Sequence, residues 1–288
     1  MPEGDVVHRT ARRLHAALAG APLERAELRW GELDSSPLVG RRTVEVVARG
    51  KHLLHRVEGG WTVHTHLRME GTWQVMATAE VGLRTLANRE LRAVLGGAEW
   101  TALGLRLGLV ELLPTGREHE AVGHLGPDIL GADWDDARAL ANLATTPERP
   151  VGEALLDQRN LAGIGTMFAA EALFLEKVNP WTTVGDLGAE RLAAVVARAR
   201  RLLRANLEEA IQSTTGSRRR GEETWVHARS GRECRRCGSL VRVASVGVAP
   251  ADRVMFYCPT CQGGLGLTDD GRAQAPLGAT GRRTRYPR

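Results

Sequence analysis

Four cysteines confined to residues 234–261 constrain this chain more than any other feature. They form Cys234-x2-Cys237 and, 20 residues later, Cys258-x2-Cys261. Each CxxC turn offers two thiolates to one ion, and the pair is the two-knuckle pattern of a tetrahedral structural zinc site. Four thiolates leave no position open for water, so one Zn2+ is expected to hold the fold together and to stay out of the chemistry. No window approaches the ~18 apolar residues of a membrane span, and the N-terminal segment lacks the apolar run of a signal peptide. A cytoplasmic protein without a membrane partner is therefore expected, and a reducing compartment disfavours structural disulfides. Between the knuckles, residues 240–257 (LVRVASVGVAPADRVMFY) read as a two-stranded hairpin with a turn near Pro250 to Arg253, so that Arg253 lies near its tip. Arg253 has two readings at this point, a solvated surface charge and a residue reaching toward phosphate.

The rest of the chain divides by its periodicity. Residues 5–19 have Val7, Ala11, Leu14 and Leu18 on one stripe and leave Arg9, Arg12 and Arg13 for other faces, which predicts a helix. Residues 43–57, 61–75 and 105–113 are rich in Val, Leu, Thr and Trp and broken by glycines, which predicts short strands in a sandwich or barrel. Segments 135–144, 150–157, 166–176 and 187–213 carry helical spacing. Residues 214–222 read as a basic linker, and the Gly-rich, aperiodic stretch 263–288 as a disordered basic tail. With 288 residues, two or more folded units are expected. A net charge of +5 suits a polyanionic partner, though only weakly by itself.

The N-terminus is Met1-Pro2-Glu3-Gly4. A small residue after Met1 favours removal of the methionine, which exposes the secondary amine of Pro2. An α-amine with a pKa near 8 is about one-fifth unprotonated at neutral pH, against roughly a thousandth for an ordinary lysine, so the processed terminus is the better nucleophile. A neighbouring carboxylate raises such a pKa, and burial or a cation such as Lys51 would have to offset it. Glu3 is placed to move a proton. The local sequence also has a plain reading, a proline and an acid opening a helix.

Taken together these pieces resemble the Fpg/Nei family of DNA glycosylases. Met1-Pro2-Glu3-Gly4 matches the family's start, where the exposed proline forms a Schiff base with deoxyribose. Arg49-Gly50-Lys51 before His52-Leu53-Leu54 resembles its strand-borne lysine, and His66-Leu67-Arg68-Met69-Glu70-Gly71 its loop that sends a Met into the gap left by an extruded nucleotide. Ala154–Gln158, Leu161–Gly165 and Glu171–Phe174 resemble its helix-two-turns-helix, where Gly163 and Gly165 would let backbone amides approach phosphate. Arg253, five residues before Cys258, matches its phosphate-gripping arginine. Two departures stand out. Thr166 occupies the place of the family's Asn and offers one donor in place of an amide's two. Residues 96–108 lack the Fpg loop that carries an Arg and a Phe, which favours the Nei, or endonuclease VIII, branch; Trp100 is the available substitute.

The resemblance implies an α+β architecture. An N-terminal β-sandwich with an N-terminal helix would span 1–120, and a helical domain 121–220, with its helix-two-turns-helix near 150–176. A zinc finger would follow at 221–262, and the tail at 263–288. It implies a bifunctional glycosylase and AP lyase acting on damaged DNA as a monomer in the cytoplasm, associated with the nucleoid. Pro2, Glu3 and Lys51 would be catalytic. DNA would be held by His66, Met69, Gly163, Gly165, Thr166 and Arg253, and Zn2+ by Cys234, Cys237, Cys258 and Cys261. Oxidised pyrimidines lead as substrates. Purine lesions of the 8-oxoguanine and formamidopyrimidine type are the rival, and a DNA-binding protein without catalysis is the rival of another class.

Overall fold

A computed structural model describes residues 2–277. The described residues separate into two compact units, one of 2–142, 158–164 and 203–208, the other of 143–157, 165–202 and 209–277.

The first unit opens with α1 (Gly4–Leu18), whose stripe of Val7, Ala11, Leu14 and Leu18 is buried as the spacing demands. Eight strands follow: β1 (Arg25–Leu28), β2 (Thr43–Arg49), β3 (His52–Val57), β4 (Trp61–His66), β5 (Thr72–Ala77), β6 (Leu91–Gly96), β7 (Trp100–Leu105) and β8 (Leu109–Pro114). They form two antiparallel four-stranded sheets, ordered β2-β3-β4-β8 and β1-β6-β7-β5. Val46, Leu53, Val63 and Val110 of one sheet share a core with Leu28, Trp73, Leu95 and Ala102 of the other and with the stripe of α1. Leu91, Val94 and Leu103 form a smaller cluster with Leu86 of the short helix α2 (Leu83–Leu86). The expected stretch 105–113 is corrected. Strand β7 has ended by Leu105, residues 106–108 turn, and β8 begins at Leu109. Strand β1 alternates, with Ala26 and Leu28 buried, but at four residues it is too short to read alone, and β6 is held between β1 and β7. Two short helices complete this stretch, α3 (Glu118–Val122) and α4 (Asp136–Ala144).

The second unit contains α5 (Val151–Leu156), α6 (Thr166–Leu175), α7 (Val184–Leu187) and most of α8 (Ala189–Ala205). Every residue of α6 from Thr166 to Phe174 is buried, as expected of a helix that is apolar all round. Its one acid, Glu171, accepts backbone N–H bonds from Trp225, Val226 and His227 at 2.8 Å each and a hydroxyl bond from Thr214. Burial pushes its carboxyl pKa up, against those donors. The expected helix 187–213 is shorter at both ends. Gly188, at φ +77, divides α7 from α8. Beyond Ala205, the N–H groups of Asn206 and Leu207 turn back three residues to Leu203 (3.1 Å) and Arg204 (3.2 Å), and their carbonyls accept from Arg9 (3.2 Å) and Arg12 (2.9 Å) of α1.

Strands β9 (Arg242–Val246) and β10 (Arg253–Tyr257) form the hairpin between the cysteine pairs. Arg253 lies opposite Val246, so the turn is 247–252 and Arg253 opens the returning strand. It stands directly beside the turn, near the tip as expected. The tail expectation is also corrected as far as residue 277. Asp269 accepts from Arg242 Nε (2.6 Å) and the Tyr257 hydroxyl (2.5 Å), while the Gln274 amide exchanges two 2.8 Å bonds with the Val243 backbone. Residues 278–288 lie outside those described. Among the described residues no helix is long and apolar enough to cross a membrane.

These tail contacts carry a prediction. The Arg242 guanidinium and the Tyr257 hydroxyl hold the Asp269 carboxyl at about 2 despite burial. Its contribution is complete above the unfolded pKa near 4 and is lost as pH falls through about 2. Asp269→Asn is expected to cost roughly 2 kcal/mol at neutral pH, and to leave little difference from wild type near pH 2. Denaturant titrations at both pH values check this, and equal stability at neutral pH would refute it.

Candidate active site and metal centre

In the first unit, three chain segments are locked together around α1's start. The Gly4 N–H donates to the Gly163 carbonyl at 2.8 Å. Glu3, the extended N-cap residue, has no exposed surface, and its carbonyl receives the Val7 N–H at 3.1 Å. Pro2, half-buried, immediately precedes it. The β2–β3 turn sets Gly50 at φ +59, with its N–H on Asp128 Oδ2 at 2.7 Å. A Cβ on Gly50 would lie 2.8 Å from the Ala162 Cβ, so only glycine lets this turn approach. Gly163 stands at φ +102, also glycine territory. Pro2, Glu3 and Lys51 are thus brought to one neighbourhood by the 162–163 backbone.

Asp128 is the hub that sequence reading missed. It is buried, and besides Gly50 it accepts from the Leu130 N–H (3.0 Å) and faces His8 Nε2 (3.3 Å). Burial works to raise its pKa, but His8 and the two amides bring it below the ordinary carboxylate range. An Asp after Gly126-Pro127 has no local signal for this role. Only the fold brings residue 128 to residue 50.

The other expected site residues are placed as follows. Lys51 is half-buried at the start of the β3 hairpin arm. His66 ends β4, and its Nδ1 accepts the Arg68 N–H at 2.9 Å. Burial, then Arg68 and Lys51, lower its pKa to about 4. Met69 is 66% exposed. The Gly163 N–H is taken by Gln158 Oε1 at 3.0 Å. In the second unit, Gly165 is the N-cap and Thr166 the first residue of α6, both buried. Arg253 is exposed, and its guanidinium rests on the carbonyls of Ala251 and Asp252. Trp100 does not fill the place of the missing wedge. It pairs with Ala77, whereas the loop of Met69 leads into Thr72, which pairs with Leu105 at the far end of β7, ~17 Å along a six-residue strand.

The four cysteine sulfurs of the second unit lie within 4.8 Å of one another. The Cys234–Cys261 and Cys237–Cys258 separations are 3.9 and 3.5 Å. Those are too long for disulfides and bracket the ~3.8 Å edge of a tetrahedron with metal–sulfur bonds of ~2.3 Å. The knuckles are pre-shaped: Gly238 N–H returns to the Cys234 carbonyl at 2.9 Å, and Gln262 N–H to the Cys258 carbonyl at 3.0 Å. The four residues can hold one metal ion.

The histidines of the first unit supply a second prediction. His55 is buried, with Nε2 on the Thr43 hydroxyl at 2.8 Å, and burial, then His15, hold its pKa at about 4. The unfolded chain takes up this proton near pH 6.5, so stability present above 6.5 is lost as pH falls toward 4. His55 alone is expected to contribute about 3 kcal/mol to that loss. A melting temperature unchanged between pH 6.5 and 4 would contradict it, and His55→Gln should flatten the decline.

Solved DNA glycosylases share this architecture. The crystal structure of Lactococcus lactis formamidopyrimidine-DNA glycosylase non-covalently bound to AP-site DNA matches with a TM-score of 0.75 at 20% identity, covering 91% of this chain and 99% of that one. At sequence level, the formamidopyrimidine-DNA glycosylase N-terminal domain matches residues 1–102 and the H2TH domain of the same enzymes residues 125–218. A probable endonuclease 8 2 of Streptomyces coelicolor is 49% identical over 99% of this chain and all of its own length. The DNA-(apurinic or apyrimidinic site) lyase Nei2 of Mycolicibacterium smegmatis is 41% identical over 91% of this chain and 99% of its own. The chain belongs to the Fpg/Nei family of DNA glycosylases.

Proposed function

We propose that this protein is a bifunctional DNA glycosylase and AP lyase that removes oxidised pyrimidines through a Schiff base on Pro2. The observation that carries the reading is the lock of Gly4 and Gly50 onto the 162–163 backbone, which gathers Pro2, Glu3 and Lys51. After removal of Met1 the Pro2 amine attacks C1′ of an extruded nucleotide and the damaged base leaves. The iminium then acidifies the C2′ proton, and the 3′ and then the 5′ phosphate are eliminated. Glu3, withdrawn from water, is suited to proton transfer. Lys51, His66 and Arg253 hold phosphates, Thr166 adds one donor, and Met69 fills the vacancy. The metal is Zn2+, bound by Cys234, Cys237, Cys258 and Cys261, and it holds the β9–β10 hairpin in shape. The protein works as a monomer in the cytoplasm.

Preference for pyrimidines is supported by the β7–β8 connection. It is only three residues, 106–108, with Leu107 buried, and its exposed Arg106, paired with Glu90 at 3.5 Å, has no Phe beside it. A panel of duplexes, each with one oxidised base, scored for strand cleavage and end chemistry tests both parts. Cleavage at oxidised pyrimidines with phosphate on both ends is expected. Preferential cleavage at 8-oxoguanine would favour the purine reading, and binding without cleavage at any lesion the non-catalytic one.

A further inference from the structure

Four histidines of the first unit converge beside Lys51, and only His66 has a part in the mechanism above. His52 and His66 face each other across β3 and β4, and His64 faces Glu111 across β4 and β8. The His52 ring stacks on His64 at 5.0 Å and lies edge-on to His66 at 4.8 Å and to His124 at 6.5 Å. His52 Nδ1 is 2.8 Å from His64 Nε2, and His64 Nδ1 is 2.8 Å from Glu111 Oε2.

These two contacts dictate where the protons are. An ionised carboxylate only accepts, so His64 carries its proton on Nδ1. Its Nε2 is then bare when the ring is neutral, and the proton between the two rings belongs to His52 Nδ1. His52 is left with a bare Nε2 as the inner end of the chain, in the neighbourhood of His66 and Arg68, and His66 in turn has Lys51 beside it. His64 is 2% exposed at the side chain and Glu111 48%, so the outer end opens to water. Burial, then His66, His64, His124 and Arg68, hold the pKa of His52 at about 3, which keeps the ring neutral and its tautomer defined in the free protein.

We propose that Glu111, His64 and His52 form a proton relay between the Lys51 and His66 side of the site and solvent. This role rests on the lyase reading, in which each elimination takes a proton from the sugar that has to leave. A proton arriving at His52 Nε2 makes an N–H bond there as Nδ1 releases its own to His64 Nε2. His64 Nδ1 then releases a proton to the Glu111 carboxylate, from which water takes it. One proton enters and one leaves; the passage leaves both rings protonated on Nε2, and each returns to its Nδ1 tautomer before the relay acts again. A DNA phosphate beside Lys51 and His66 raises the proton affinity of His52 at the stage when the relay operates. His64 and Glu111 are positioning residues, because they act through His52.

The test combines imidazole 15N spectra of the whole protein with single-turnover cleavage of an abasic-site duplex from pH 6 to 8. The spectra are expected to place the neutral His52 and His64 protons on Nδ1. Glu111→Gln is expected to slow cleavage about tenfold with abasic-DNA affinity within about twofold. His52→Ala is expected to lose at least as much and to regain most of it with added imidazole, a recovery that a merely structural role would not give. A His52 proton on Nε2, Glu111→Gln at the wild-type rate throughout, or a His52→Ala loss that imidazole leaves untouched would overturn the relay. Wild-type protein that leaves no borohydride adduct with abasic DNA would remove the lyase reading and the relay with it, whereas active wild type with unaffected variants removes the relay alone.

Discussion

Placing one additional residue ahead of Pro2, or acetylating the processed N-terminus, is expected to reduce strand cleavage at an abasic site by about 10³-fold or more. Either change turns the amine into an amide, whose nitrogen lone pair is delocalised and cannot attack C1′. A loss of that size corresponds to about 4 kcal/mol of transition-state stabilisation. Binding of abasic DNA should change little, because the anchoring bond is the Gly4 N–H to Gly163, one residue beyond the site of modification and its neighbour Glu3. Borohydride adducts should disappear in parallel. Mass spectrometry decides the matter, since a chain that retains Met1 and still cuts at full rate has another nucleophile.

Stripping the metal should have a comparably large effect by a different route. The β9–β10 hairpin has five residue pairs, and a two-stranded hairpin of that size is marginal alone in water. A structural zinc in such a module supplies on the order of 10 kcal/mol of folding free energy. Chelation, or Cys258→Ser, is therefore expected to unfold residues near 234–262 and weaken binding of damaged duplex by about 10²-fold, since the arginine that opens β10 loses its place. One zinc released per chain, measured with a chromophoric chelator alongside a shift assay, is the expected stoichiometry. Metal-free protein with unchanged affinity would show that the cluster has another purpose.

The tail contacts bear on the same module. Asp269, Gln274 and the Arg242 guanidinium fasten the chain after the last knuckle onto the hairpin. The module therefore reaches at least to residue 274, and truncation at Gln262 would remove part of its fold. Nothing in the aperiodic composition of that stretch announces this. Its apolar content is low, and the contacts are polar pairs whose partners lie some 30 residues earlier in the chain.

What could be read locally was read from spacing. The CxxC pairs specify a metal-binding hairpin because two thiolates on one tight turn have few other uses. The stripe of α1 specifies a buried helix face because apolar side chains repeat at 3.6 residues. The motifs at residues 1–4, 49–54 and 66–71 name their own positions. Helix ends and turn identities were less legible. Helix α8 stops where two arginines of α1 meet the carbonyls that follow it, β1 is too short at four residues to read alone, and β6 is held between β1 and β7.

The amino-acid order alone thus singled out the residues proposed to act on DNA, the imino acid, the acid beside it and the lysine, and the four thiols that can hold one metal ion. Folding decided how they are held and what surrounds them. Asp128 reaches Gly50 across 78 positions, Gly163 reaches Gly4 across 159, and Glu111 meets His64 only because β8 pairs with β4. Hydrogen bonds act over about 3 Å and leave no trace in sequence spacing once the partners are separated by a sheet crossing, so no pattern along the chain could have disclosed them.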